Sequence, residues 1–123
     1  MEKLKFTKRE LDIMHVLWDA KEPLSAKEVF EQNSSISLNT IQAVLRKLLR
    51  NKIIKTAEIG YSGTVLTRKY SPLLSEEDYL ASQFSKKSIS NLISLLIKNS
   101  KAEDLDKIEK LVKDKKAELT VNN

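Results

Sequence analysis

Cysteine is absent from this chain of 123 residues, and histidine occurs once, as His15. Without cysteine there is no disulfide framework and no thiolate metal site, which suits a reducing compartment. A single histidine cannot build a His-rich metal cluster, so no metal site and no cofactor are expected. Two glycines and two prolines leave little material for long loops and point to a mainly α-helical chain. No stretch approaches the ~18 consecutive apolar residues of a membrane span, and the first residues lack the apolar core of a signal peptide. The expectation is a cytoplasmic protein with no membrane partner. The Gly-rich phosphate loop, H-E-x-x-H and G-x-S-x-G are missing as well. His15 sits between Met14 and Val16 with no acidic triad partner in view. No catalytic residue and no enzyme activity are expected.

What the chain does have is charge, unevenly placed. The net charge is +5, and 41% of residues are hydrophobic, enough for one core with an appended helical piece. Residues 1–72 carry 13 basic and 8 acidic side chains, whereas residues 73–123 carry 9 of each. Between residues 37 and 72, seven basic side chains face only Glu58. A positive middle and a neutral tail imply one polyanion-binding face and one protein-binding segment.

The stretch from Ser37 to Lys52 reads as one amphipathic helix. Ile41, Val44, Leu45, Leu48 and Leu49 form an apolar stripe. Asn39, Thr40, Gln42, Ala43, Arg46, Lys47 and Arg50 fall on the other side. Asn and Gln pair with adenine edges, Arg with guanine, and small apolar groups touch the thymine methyl. That combination is what the second helix of a helix-turn-helix requires. Ahead of it, Thr7-Lys-Arg-Glu10 and Ser25-Ala-Lys-Glu28 are capping boxes. The first opens a helix to about Ala20, with Leu11, Ile13, Met14, Leu17 and Trp18 on its apolar face. The second opens a short helix with Val29 and Phe30 turned inward. Pro23 keeps the residues before it extended, and Ser37 is the expected N-cap of the third helix.

After Asn51 the period changes from 3.6 to 2. Residues 53–59 and 64–70 read as two strands joined by a turn at Gly60-Tyr-Ser-Gly63, whose glycines allow positive φ. Three helices and a basic hairpin are the order of a winged helix-turn-helix. Beyond Pro72, Ser75-Glu-Glu-Asp78 opens a long helix with a kink expected near Lys86-Lys-Ser88. Ser100-Lys-Ala-Glu103 caps a last helix, and residues 120–123 are expected to fray. The tail's apolar faces lack a third element to cover them, and a second copy of the chain supplies one. The organisation expected is a DNA-binding domain over residues 1–72 and a helical dimerisation domain over 73–123.

These residues resemble a known group. Thr7-Lys-Arg-Glu-Leu-Asp-Ile-Met-His-Val-Leu-Trp18 looks like the first helix of the bacterial penicillinase-repressor family. That family includes the methicillin-resistance repressors and the copper-responsive repressors. Pro23-Leu-Ser-Ala-Lys-Glu-Val29 is similar to its second-helix start, residues 37–48 to its recognition helix, and Tyr70-Ser-Pro72 to the end of its wing. The likeness covers most of residues 5–112. It departs at Leu11, where the family often has Trp, at Lys47, where it has Arg, and at Arg68, where it has Phe. The Cys-rich motif of the copper-responsive branch is missing. So is the Asn-Phe bond cleaved in the β-lactam-responsive branch, the comparable stretch reading Leu95-Leu-Ile-Lys-Asn-Ser100.

The resemblance implies a winged helix with a helical dimerisation tail. It also implies repression: a homodimer occupies the promoter operator of a resistance or stress operon and blocks transcription. The expected DNA-binding residues are Lys27, Ser37, Asn39, Thr40, Gln42, Ala43, Arg46, Lys47, Arg50, Arg68 and Lys69. Gln42 and Arg46 are expected to read bases, and Lys47, Arg50, Arg68 and Lys69 to hold phosphates. The dimer interface is expected at Leu92, Leu96, Leu105, Ile108 and Val112. An inactivating protease acting at the linker before Ser100 is a further expected partner. The alternative from another class is a protein-interaction module on the same fold, which predicts exposed aromatics or aliphatics on residues 39–50. A double-stranded RNA binder ranks below both, because the A-form major groove is too narrow for a helix.

Overall fold

The computed structural model describes residues 4–62 and 65–121. Its elements run α1 (Lys8–Asp19), α2 (Ala26–Gln32), α3 (Leu38–Arg50), β1 (Ile54–Ser62), β2 (Val65–Pro72), α4 (Glu76–Ser82), α5 (Lys86–Lys98) and α6 (Ala102–Val121). No helix among the described residues is long and apolar enough to cross a membrane.

Both N-terminal capping boxes form. The Thr7 amide donates to Glu10 Oε1 at 2.8 Å, and the Glu10 amide donates back to Thr7 Oγ1 at 3.2 Å. At α2 the Ser25 amide donates to Glu28 Oε1 at 3.0 Å, and the Glu28 amide to Ser25 Oγ at 3.1 Å. Each box satisfies two amides that the first helical turn leaves unpaired. The three helices then converge on Ile13, Met14, Leu17, Leu24, Val29, Ile36, Ile41, Leu45, Leu48 and Ile54, all buried. Fully burying a side chain of this size is worth about 1.5–3 kcal/mol.

The step from α3 into β1 is a Schellman motif. The Ile53 amide donates to the Leu48 carbonyl at 3.0 Å and the Lys52 amide to the Leu49 carbonyl at 3.1 Å. The residue in the left-handed position is Lys52, at φ 60°, where glycine is usual. Lys52→Gly is therefore expected to stabilise the fold by about 1 kcal/mol. The check is a higher denaturation midpoint at unchanged denaturant slope; an unchanged midpoint would show that Lys52 carries no strain.

β1 and β2 pair antiparallel, from Ile54 opposite Pro72 to Ser62 opposite Val65, with a register shift between Thr56 and Glu58. Leu24 adds a one-residue third strand through two backbone bonds with Tyr70, at 3.0 and 2.7 Å. The strands reach further than the sequence predicts. Gly60, read as a turn residue, lies inside β1 opposite Thr67 and outside the left-handed region. Gly63 of the same predicted turn lies outside the described residues.

The long helix predicted from Ser75 is two helices. Ser75 caps α4, its hydroxyl accepting the Asp78 amide at 3.1 Å. Gln83, Phe84 and Ser85 interrupt, and Ser85 caps α5 by accepting the Ser88 amide at 3.1 Å. The chain divides into compact units Met1–Gln83 and Phe84–Asn123, so residues 73–83 belong with the first unit rather than starting the second at Leu73. Trp18 explains this: its Nε1 donates to the Leu74 carbonyl at 2.8 Å, and its ring lies 5.5 Å from Tyr79. Phe6 packs on the same Tyr79 at 5.4 Å, and Gln83 Nε2 donates to the Leu4 carbonyl at 2.8 Å.

In the second unit, neither α5 nor α6 contains a buried residue. The capping box predicted at Ser100 does not form: α6 begins at Ala102, and the Ser100 hydroxyl instead donates to the Leu96 carbonyl, closing α5. The linker expected to be protease-sensitive is thus three residues long and tied to α5 by side-chain bonds from Asn99 and Ser100. Thr120 and Val121, expected to fray, are helical, and the Thr120 hydroxyl donates to the Lys116 carbonyl at 2.9 Å. Asn122 and Asn123 lie outside the described residues.

Candidate nucleic-acid interface

The burial of α3 decides which of its side chains face out. Ile41, Leu45 and Leu48 are buried, and Val44 and Leu49 pack at the edge of the core. Asn39, Gln42, Ala43, Arg46 and Arg50 are exposed. Spaced at i, i+3, i+4, i+7 and i+11, they occupy one face of the helix. Ser37 and Thr40, expected at the interface, serve the cap first. The Ser37 hydroxyl accepts the Thr40 amide at 3.2 Å and lies 2.9 Å from the Thr40 hydroxyl.

The wing stands beside this face. Gln42 and Arg46 of α3 share an open groove with Leu66, Thr67 and Arg68 of β2, floored by Leu45 and Tyr70. The groove thus joins two amide or guanidinium groups of the helix face to the exposed Arg68. Lys27 is exposed on α2. Sequence reasoning did not mark Ile59, Tyr61, Val65 and Leu66 of the wing, which are all 60–69% exposed. Their signal was the period-2 pattern itself: beyond the core a two-stranded ribbon has no second layer, so apolar side chains on both of its faces stay in water.

Two lysines assigned to phosphates have partners within the chain. Lys47 Nζ lies 3.2 Å from Glu10 Oε2, and Lys69 Nζ lies 3.3 Å from Glu28 Oε1. Both acceptors are capping-box glutamates. For Glu10, burial alone would raise the carboxyl pKa. The Thr7 hydrogen bonds and the Lys47 ammonium outweigh it, and the pKa lies below its ordinary value. For Glu28, the Ser25 amide is the largest influence; together with the Ser25 hydroxyl and Lys69 it overcomes burial and lowers the pKa. Both carboxylates are ionised near neutral pH, so each lysine stands beside an opposite charge of its own chain.

His15 is exposed on α1, with Nδ1 3.6 Å from Glu76 Oε2 and its ring edge-on to Trp18 at 5.5 Å. Among the described residues no three His, Cys, Asp or Glu side chains gather as metal ligands. In the second unit Leu92, Leu96, Leu105 and Val112 are exposed and Ile108 is half-buried. Leu92 and Leu96 are one turn apart on α5; Leu105, Ile108 and Val112 follow one face of α6.

No curated protein matches the chain. Among solved structures, it is similar to Streptococcus pneumoniae FabT in complex with DNA, at 15% identity and a TM-score of 0.45. It is also similar to a variant of Lactococcus lactis ZitR, at 19% identity and a TM-score of 0.44. Each alignment covers 97% of this chain and 79% of the other. The family model described as penicillinase repressor matches residues 6–114, a span that takes in the capped helices, the exposed amide and arginine face of α3, the wing and most of α6. On that match the chain belongs to the penicillinase repressor family, whose members are transcriptional repressors.

Proposed function

We propose that the chain is a homodimeric, sequence-specific DNA-binding repressor that occupies a promoter operator and blocks transcription. One observation carries the reading: Asn39, Gln42, Ala43, Arg46 and Arg50 are exposed on a single face of a helix whose opposite face is locked into the core. A helix presented in this way fits the major groove, with amides and guanidinium groups at base edges. Arg50, Arg68 and Lys27 then reach phosphates on either side of the groove. The interaction-module alternative asks for apolar side chains on this face, and the face supplies amides and arginines instead. The dimer is supported by the second unit, where two helices totalling 33 residues bury no side chain.

The test is a mobility shift on the DNA upstream of the chain's own coding region, followed by footprinting. Two protected half-sites, with centres about 10 bp or a small multiple apart, are expected. One half-site protected by a monomer contradicts the reading. Arg68→Ala is expected to weaken operator and mixed-sequence DNA alike and to lower the slope of log affinity against log salt by about one unit. An unchanged slope removes Arg68 from the phosphate contacts.

A further inference from the structure

The Lys69 side chain is only 17% exposed, and its ammonium rests on a carboxylate that is already fixed in place. Glu28 is held by the Ser25 amide at 3.0 Å, and Ser25 itself is fully buried. To reach Glu28, the stem of Lys69 passes over Gly60 on the neighbouring strand. A Cβ at Gly60 would stand 3.0 Å from Lys69 Cε and 3.8 Å from Nζ. Gly60 has no left-handed φ to explain its presence, so what it supplies is room. From Lys55 to the tip, no described wing side chain is buried. Lys69 is also next in sequence to Arg68, and successive strand residues point to opposite faces. Holding Lys69 down on α2 therefore turns Arg68 outward.

We propose that the Glu28–Lys69 pair, seated over Gly60, is a strap that sets the wing against α2 and thereby places Arg68. Lys69 is then a positioning residue and not a phosphate contact. The inference rests on the DNA-binding reading above. Its energetic scale is that of a partly exposed ion pair, and the capping geometry lowers the entropy cost because the acceptor is already ordered. A lysine that left Glu28 for a phosphate would exchange one anion for another and gain little.

Glu28→Gln removes the charge and keeps a side chain that still completes a capping box. We would compare wild type, Glu28→Gln, Lys69→Gln and the double variant as full chains. The probes are the duplex upstream of the coding region and a mixed-sequence duplex. Each single variant is expected to bind the upstream duplex about two- to fivefold more weakly, and the double variant no more weakly than either. The salt slope of Lys69→Gln is expected to match that of Glu28→Gln, because both break the same strap. A slope for Lys69→Gln lower than that of Glu28→Gln by about one unit, or tighter binding by Glu28→Gln as a released lysine reaches phosphate, overturns the proposal. So does binding that is unchanged in Lys69→Gln. Gly60→Ala reaches the same point by another route: it crowds the lysine stem and is expected to weaken binding to a similar degree, whereas unchanged affinity counts against the strap. If wild type binds neither duplex, the functional reading falls, and the strap is then judged by melting temperature. Coupled losses in the Glu28 and Lys69 variants support it, and additive losses overturn it.

Discussion

Leu96→Asp is expected to leave each chain folded and to separate the dimer. Leu96 is 56% exposed in the single chain, so a carboxylate there meets water unless a partner covers it. In the proposed dimer the same carboxylate is stripped of water at an apolar surface, which is strongly unfavourable. Ile108→Asp tests the same surface less cleanly, because Ile108 is already half-buried within its own chain. Sedimentation of Leu96→Asp at micromolar concentration should give monomers. Operator affinity should fall by about two orders of magnitude or more, since each recognition helix then binds its half-site without the second being held nearby. Unchanged far-ultraviolet circular dichroism is the control for folding. A variant that stays dimeric would place the interface away from Leu92 and Leu96.

Arg46→Ala should cost roughly 1–3 kcal/mol on the operator, a loss of about 5- to 150-fold, and relax the preference at one base position. Arg46 lies at the centre of the exposed α3 face and lines the groove shared with the wing. A guanidinium there can present two of its N–H donors to a guanine edge. Lys47, the next residue, makes the contrast. It stands at the border of that face, 3.2 Å from Glu10, and Lys47→Ala is expected to change specificity little. Titrating Arg46→Ala against the operator and a mixed-sequence duplex separates the two roles. Equal losses on both duplexes would make Arg46 a phosphate contact rather than a base reader.

The three N-terminal helices were legible because their signals are local. Thr7 with Glu10 and Ser25 with Glu28 mark helix starts by a spacing of three. The 3.6-residue stripe from Ile41 to Leu49 marks the buried face of α3. The same logic misled at Ser100, where the spacing of a capping box is present but the hydroxyl closes the preceding helix instead. It misled again between Ser82 and Ser85, where Ser85 followed by Ser88 is a weaker start signal than Ser followed by Glu. Gly60 was legible as a special position but not as the right kind: a glycine chosen for a turn and a glycine chosen to let a lysine pass look alike in a sequence.

By itself the sequence determined the helical class, the order of three helices and a wing, the core face of α3 and the amide and arginine face opposite it. Those properties depend on period, capping chemistry and composition, all of which act over a few residues. Only the tertiary structure decided which of the basic side chains expected at DNA lie against a carboxylate of the same chain. Arg46, Arg50 and Arg68 face solvent, whereas Lys47 and Lys69 are turned back to Glu10 and Glu28. It also decided that residues 73–83 pack with the first unit, through contacts between Trp18 and Tyr79 that are 61 residues apart in the chain. The physical reason is range: an ion pair or a ring contact forms where folding brings two groups within a few ångströms, and no local pattern records a partner so distant along the chain.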